Sequence, residues 1–439
     1  MQGRSRGLTT ELSRLIIAEV IRQADPREVK AALGSCSLVC QSWEDVARTF
    51  LFHQFILKIT RNNHPVLDEL FELLRTSRTR FGRHIRFLHL DGEWWDHNPT
   101  SSGRHYDRSP AIDPQALQIL IPHLPRLHSL FLTNIRLVSI NSGLRITPFM
   151  RPAISRLEIF AEVAEDDDIT DIFHVIYGFS SIKTLSLHFT YSGPLEILRP
   201  NPETLPIYLG SVNVGALLFR DLLSPWARPI HDFLRKVQGP RKNNFDSVCF
   251  WPDKTLEGAG TFLRMVGPDV RSLRLNTVPM FTHNHHDIQS KWGQLGFASC
   301  SAVEAILLDY ECRRYSGMQF MLAMGIVFRT YLAALQLPEV RALPKLNRVI
   351  LRVTLHSIMH PIFVQDWDAM DRALDALPGL DTVIVSFTFD SLTEPSFFQL
   401  YMPRMQAKGR LVFCIDEDEA LWTETDVSSI PVAPPALAR

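Results

Sequence analysis

The sequence predicts an α/β chain: a short helical module, then an irregular solenoid with its strands in a parallel concave sheet and its helices outside. Three observations carry this reading. One spacing (apolar, two residues, apolar, one residue, apolar) recurs from "IRFLHL" (Ile85–Leu90) to "LDTVIV" (Leu380–Val385). Segments of helical periodicity separate the copies and end in Pro or Gly stop signals, as in "LPRL", "VGPDV", "LPKL" and "LPGL". The spacing is absent before Ile85, where the pattern is helical instead.

The first helix places Leu8, Leu12, Leu15, Ile16 and Val20 on one face, with Thr9 or Thr10 as its cap and Glu11 in its first turn. After a turn at Asp25-Pro26, Val29, Leu33, Cys36, Val39 and Cys40 form a helical stripe. Trp43, Val46, Ala47 and Phe50 continue it. On such a helix Cys36 and Cys40 stack on one face. "FHQFILKI" (Phe52–Ile59) alternates as a strand does.

The repeated spacing then runs through "LHSLFL" (Leu127–Leu132), "ISRLEI" (Ile154–Ile159), "IKTLSL" (Ile182–Leu187) and "VGALLF" (Val214–Phe219). It continues with "FDSVCF" (Phe245–Phe250), "VRSLRL" (Val270–Leu275), "VEAILL" (Val303–Leu308) and "LNRVIL" (Leu346–Leu351). "RLVFCI" (Arg410–Ile415) is a frayed last copy. Each unit ends in a short strand with one buried face. Intervening stretches such as Val66–Ser77, Ile169–Phe179, Ile230–Val237 and Trp367–Leu377 have helical spacing. The period is roughly 33 residues, in the range of helix-plus-strand solenoids, whose units bury their apolar faces only by stacking.

The composition of the 439 residues is globular: 46% hydrophobic, 10% aromatic and 21% charged. Disordered chains are poorer in apolar residues. A net charge of -1 gives no reason to expect nucleic acid or an anionic membrane as the main partner. Six cysteines in this length are not a disulfide framework. The opening "MQGRSRGLTTELSRLIIAEV" shows neither an apolar run nor a small-residue cleavage site, so no signal peptide is expected. The apolar stretch Met318–Leu337 is interrupted by Arg329 and predicts a buried helix, not a membrane span. A reducing compartment, cytoplasmic or nuclear, is expected.

The repeated spacing resembles that of leucine-rich repeats, in a degenerate form. Those repeats usually carry Asn or Cys three residues after the last strand leucine. Here that position holds residues such as Glu93, Ile135, Glu162, Leu222, Asp253 and Thr354. An irregular horseshoe is expected, with other partners for the backbone after each strand. The rival, a doubly wound enzyme fold, would normally show a Gly-rich phosphate loop after a strand, and none is present.

"LTTELSRLIIAEVI" followed by "LGSCSLVCQSWEDVARTFLF" resembles the F-box, a motif of Leu-Pro-x-Glu-(Leu/Ile), an apolar helix and a Cys-Ser-Leu-Val-Cys-(Lys/Arg)-x-Trp core. The layout is similar to that of the large fungal F-box family. Thr9-Thr10 stand where the family prefers Pro. The resemblance implies an F-box over 8–53; the repeated spacing extends a leucine-rich-repeat-like solenoid over 54–425, and the Pro/Ala composition of 426–439 suggests a flexible tail. It implies a non-catalytic substrate-recognition subunit of a Skp–cullin–F-box ubiquitin ligase. The F-box would bind the Skp adaptor, and through it a cullin scaffold, while the repeats would hold a target protein. Leu8, Leu12, Ile16, Leu33, Leu38, Val39 and Trp43 are by carry-over the adaptor contact or its supporting core. The alternative is a repeat scaffold that binds protein without a ligase role.

No cofactor, metal site or catalytic group is expected. Cys36 and Cys40 lack the further ligands a zinc site needs and read as apolar packing. "HNHHD" (His283–Asp287) has metal-binding chemistry, but neighbours on a loop rarely converge on one ion, and a solvated loop is expected. "EDDD" (Glu165–Asp168) suits the start of the next helix. The long polar stretch Leu90–Asp113 carries Trp94, Trp95 and Tyr106, which either anchor a partner or fold back onto the sheet. On the concave face the strand pattern places Arg86, His89, Phe131, Lys183, His188, Arg271, Arg274, Arg348 and Arg352, with Glu158, Glu304 and Asp309. Of these, Arg86, Phe131, Arg271, Arg274, Arg348 and Arg352, together with Trp94 and Trp95, are the candidates for target binding.

Overall fold

The computed structural model describes residues 10–23, 28–59, 65–76, 81–92, 110–138, 151–163, 169–191, 211–220, 222, 224–238, 245–251, 256–276, 292–311, 328–355, 366–389 and 401–415. The chain is α/β, with a large parallel sheet of 13 strands among the described residues, twelve of which follow one another in the sheet as in the sequence. Its first elements are α1 (Thr10–Gln23), α2 (Val29–Ser37), α3 (Gln41–Leu51), β1 (Gln54–Ile59) and α4 (Pro65–Thr76). A 3-10 turn (Phe81–His84), β2 (Phe87–Gly92), β3 (Ala111–Ile112), α5 (Pro114–Leu120), β4 (Ser129–Leu137) and β5 (Ala153–Val163) come next. Then follow α6 (Thr170–Tyr177), β6 (Ser181–Tyr191), β7 (Asn213–Arg220), α7 (Ser224–Gln238), β8 (Phe245–Trp251) and α8 (Glu257–Val266). The last are β9 (Val270–Leu275), β10 (Ala305–Glu311), α9 (Pro338–Arg341), β11 (Arg348–Leu355), α10 (Trp367–Asp375), β12 (Thr382–Phe389), α11 (Pro403–Ala407) and β13 (Leu411–Ile415). Each copy of the repeated spacing yields a strand. The two-residue β3, which pairs beside β4, has no sequence signal.

The chain divides into two compact units, Met1–Ile182 with Thr190–Pro194, and Lys183–Phe189 with Leu195–Arg439. In the first unit α1–α3 form a trio around Ile17, Leu33, Cys36, Val46 and Ala47. The predicted continuous stripe breaks at Leu38. The α2 helix ends there in a turn, whose amides return to the carbonyls of Ser35 and Cys36. Cys40 then adopts an extended backbone ahead of α3. Cys36 is buried and Cys40 exposed, so the two thiols do not share a helical face.

Beside the trio, β1, β2, β4 and β5 are parallel neighbours in a register that places Ile56, His89, Phe131 and Glu158 in one row. The turn before β2 admits only glycine at Gly82, where a Cβ would lie 2.1 Å from the His123 carbonyl oxygen. At the ends of β2 and β4, Asp91 accepts from Thr133 Oγ1 at 2.8 Å and Asn134 Nδ2 at 3.2 Å. Asn134 sits at φ 56, where the strand pairing skips a residue between Leu132 and Ile135.

In the second unit α7 and α8 cover one face of β7 and β8. The Phe262 ring of α8 packs edge-on against Phe219, at 4.8 Å, and Phe250. Helix α7 starts earlier than its sequence pattern, at Ser224, and runs through Pro229. The predicted buried helix near Met318–Leu337 is described over 328–335, where Phe328, Tyr331 and Leu335 are buried. The expected single buried strand face is not what β10–β12 show. Leu307, Ile350 and Ile384, on the face opposite Leu308, Leu351 and Val385, are also buried and form a second cluster with Val412. Parallel strands are commonly covered on both sides. Among the described residues no helix is long and apolar enough to cross a membrane.

Candidate functional site

Two surfaces hold the residues that the sequence singles out. The first is the helical trio. Helix α1 turns Ser13 and Ile17 inward and leaves Leu12 and Leu15 exposed, at 42% and 68%. Leu38 and Val39, in the turn between α2 and α3, are more open, at 87% and 62%. Leu33 belongs to the core, and Trp43 packs partly buried against it. Ile16 is half-buried, and Leu8 lies outside the described residues. The candidates thus separate: Leu33 and Trp43 hold the trio together, while Leu12, Leu38 and Val39 face outward. Leu15 is an outward residue absent from the candidate list, although its place on the α1 stripe was legible.

Single exposed leucines are ordinary on protein surfaces. Five large apolar side chains left outside one small module, Phe50 of α3 being the fifth, are not. Burying each would contribute roughly 1.5–3 kcal/mol. The turn geometry keeps Leu38 and Val39 out of the trio's own core.

The second surface is the sheet face that bears the predicted target-binding side chains. In the first unit it is half open. His89 and Phe131 meet edge-on with centroids 6.0 Å apart, and His89 Nε2 lies 2.7 Å from Thr133 Oγ1. The Arg156 guanidinium lies 5.3 Å from the Phe131 ring and pairs with Glu158 at 2.7 Å. Arg86 is exposed nearby. Trp94 and Trp95 lie outside the described residues, as do "EDDD" and "HNHHD".

In the second unit the predicted basic side chains close around Asp309, which is fully buried. Arg274 donates to its Oδ2 through both Nε, at 3.2 Å, and Nη2. Arg352 Nη1 approaches the same oxygen at 3.8 Å, and Arg352 is itself 5% exposed. Two of the predicted basic residues therefore neutralise an internal carboxylate. Arg271 is exposed and Arg348 half-buried. Tyr331, also buried, sets its hydroxyl 3.2 Å from the Leu275 carbonyl oxygen and against that of Asp309, joining the ends of β9 and β10. Cys249 stands in register with Arg274. Burial pushes its thiol up to about 11 although Arg274 pulls it down. No group of three or more His, Cys, Asp or Glu side chains that could hold a metal ion occurs among the described residues.

Fold and surfaces together define an α/β protein with parallel strands in near-sequential order and an N-terminal helical trio that bears outward apolar side chains. In comparisons with known proteins no protein-family model and no curated protein matches the chain.

Proposed function

We propose that the chain is the substrate-recognition subunit of a Skp–cullin–F-box ubiquitin ligase. In this reading residues 8–53 are an F-box that docks on the Skp adaptor, and leucine-rich-repeat-like units over 54–425 hold a target protein. It makes and breaks no bond itself; its contribution is to bring the target close to the ubiquitin-charged partner. The observation that carries the reading is the outward apolar set Leu12, Leu15, Leu38 and Val39 on a trio whose core is complete without them. The half-open sheet face around His89 and Phe131 supports a target-binding role for the first unit.

The test is binding of the full chain to a purified Skp adaptor by titration calorimetry. Wild type is expected to bind at micromolar concentration or below. Leu38→Asp with Val39→Asp should weaken binding at least about tenfold, because each puts a charge where an apolar contact forms. The melting temperature should stay put, since neither residue enters the core. Trp43→Ala is unsuitable here, since that ring supports the trio. Failure of wild type to bind at micromolar concentration replaces the ligase reading with that of a scaffold without ligase role.

A further inference from the structure

The trio is tied to the first strands by a closed ring of hydrogen bonds around one histidine. Asp45 and Thr49 lie one turn apart on α3, while Arg83 and His84 end the 3-10 turn that precedes β2. Arg83 Nη2 donates to Asp45 Oδ1 at 2.7 Å, and Arg83 Nε donates to His84 Nε2 at 3.2 Å. The Thr49 hydroxyl donates to the Asp45 carbonyl at 2.9 Å and lies 3.1 Å from His84 Nδ1. Having spent its proton, Thr49 Oγ1 can only accept, so Nδ1 carries the hydrogen and Nε2 is the acceptor. Every position in the ring is satisfied by the neutral imidazole.

We infer that His84 is a pH-sensitive latch between the helical trio and the sheet, closed while its Nε2 accepts from Arg83 and released when that nitrogen takes up a proton. A protonated Nε2 is a donor facing a donor, with two positive charges in contact. The groups facing the imidazole are Asp45, Arg48 and Thr49 from α3, Arg83 from the turn and Arg126 from the segment before β4. Burial comes first in holding the imidazole below the usual histidine range; the guanidiniums of Arg83, Arg48 and Arg126 add to it, and only Asp45 opposes. The turn itself is fixed by the 3-10 segment Ile121–His123 after α5, because Gly82 lies against the His123 carbonyl. Phe81 packs edge-on against Phe52 at 4.5 Å, a contact indifferent to protonation. Release is therefore a loosening of α3, not a loss of the whole junction. This inference stands whether or not the trio binds an adaptor.

The sign follows from the neutral state being the one the fold favours. The latch contributes fully above about pH 6.5, the ordinary histidine value, and is lost as pH falls through the lowered one. Hydrogen exchange of the full chain, corrected for intrinsic rates, tests it between about pH 7.5 and 5. Protection over 41–51 should fall at least about tenfold in wild type while α6 stays protected. His84→Gln can accept from Arg83 and donate to Thr49 without titrating, so its protection should not change with pH. Constant wild-type protection, or an equal fall in the Gln variant, overturns the latch. If His84→Gln melts lower at about pH 7.5, the imidazole titration by NMR in wild type decides. A midpoint below about 6.5 that coincides with the loss of protection supports the latch; any other midpoint overturns it.

Discussion

Cys40 shows how one residue's chemistry follows from a turn. Its extended backbone places the thiol at the start of α3, exposed and 3.1 Å from the Ser42 hydroxyl. That hydrogen bond first, and then the backbone amide of Trp43, hold its pKa below the usual thiol value. Burial pushes Cys249 up to about 11 and Cys300 up to about 12. Iodoacetamide at about pH 7.5 should therefore label Cys40 well before Cys249 or Cys300, read by peptide mass spectrometry. Ser42→Ala should slow Cys40 and leave the other two alone; equal labelling of all three in the folded protein would contradict this. The cysteine spacing was legible in the sequence, but the fates of the two thiols were not. A helical stripe through Val39 and Cys40 is a valid pattern, and only the turn at Leu38 separates them. Arg274 and Arg352 teach the same lesson. Each reads as a surface cation alone, and strand register is what brings Asp309 between them.

At the scale of elements, glycine placement marks the close approaches. Helix α8 carries Gly258 and Gly260, poor helix formers, beside an apolar stripe of Ala259, Phe262, Leu263 and Val266. At Gly260 an added Cβ would lie 1.8 Å from the Gln294 carbonyl oxygen, a backbone atom that cannot swing away. Gly260→Ala should lower stability by about 1–3 kcal/mol by overpacking, despite the better helix propensity of alanine. Urea denaturation checks this, and a neutral or stabilising result would show that the 292–296 segment yields. The trio divides by legibility in the same way. Its apolar periodicity was readable, but which leucines face inward depends on the angle at which α2 meets α3. The turn that sets that angle has no residue-level signal.

At the scale of the whole molecule, the strand set was the most legible feature, because the same apolar spacing recurs and several of the intervening helices end in a Pro or Gly signal just before it. Less legible was the burial of both faces in β10–β12, which needs the register of strands far apart in sequence. Ile384 is 2% exposed within the second cluster. Ile384→Asp should cost about 3–5 kcal/mol as an unpaired buried charge. Hydrogen exchange should rise across β10–β12 and leave α1–α3 unchanged, since stacked units couple mainly to their neighbours. Exchange rising equally over 10–51 would show longer-range cooperativity. The order of the strands has one more consequence, for synthesis. Apart from β3, each strand after β1 pairs with the one made before it on the path β1-β2-β4 to β13. At about 5–20 residues per second, a repeat of roughly 33 residues leaves the ribosome every 2–7 s or so. Along this path the growing chain therefore meets a finished edge to build on, and after β1 only the short β3 waits for a partner not yet translated.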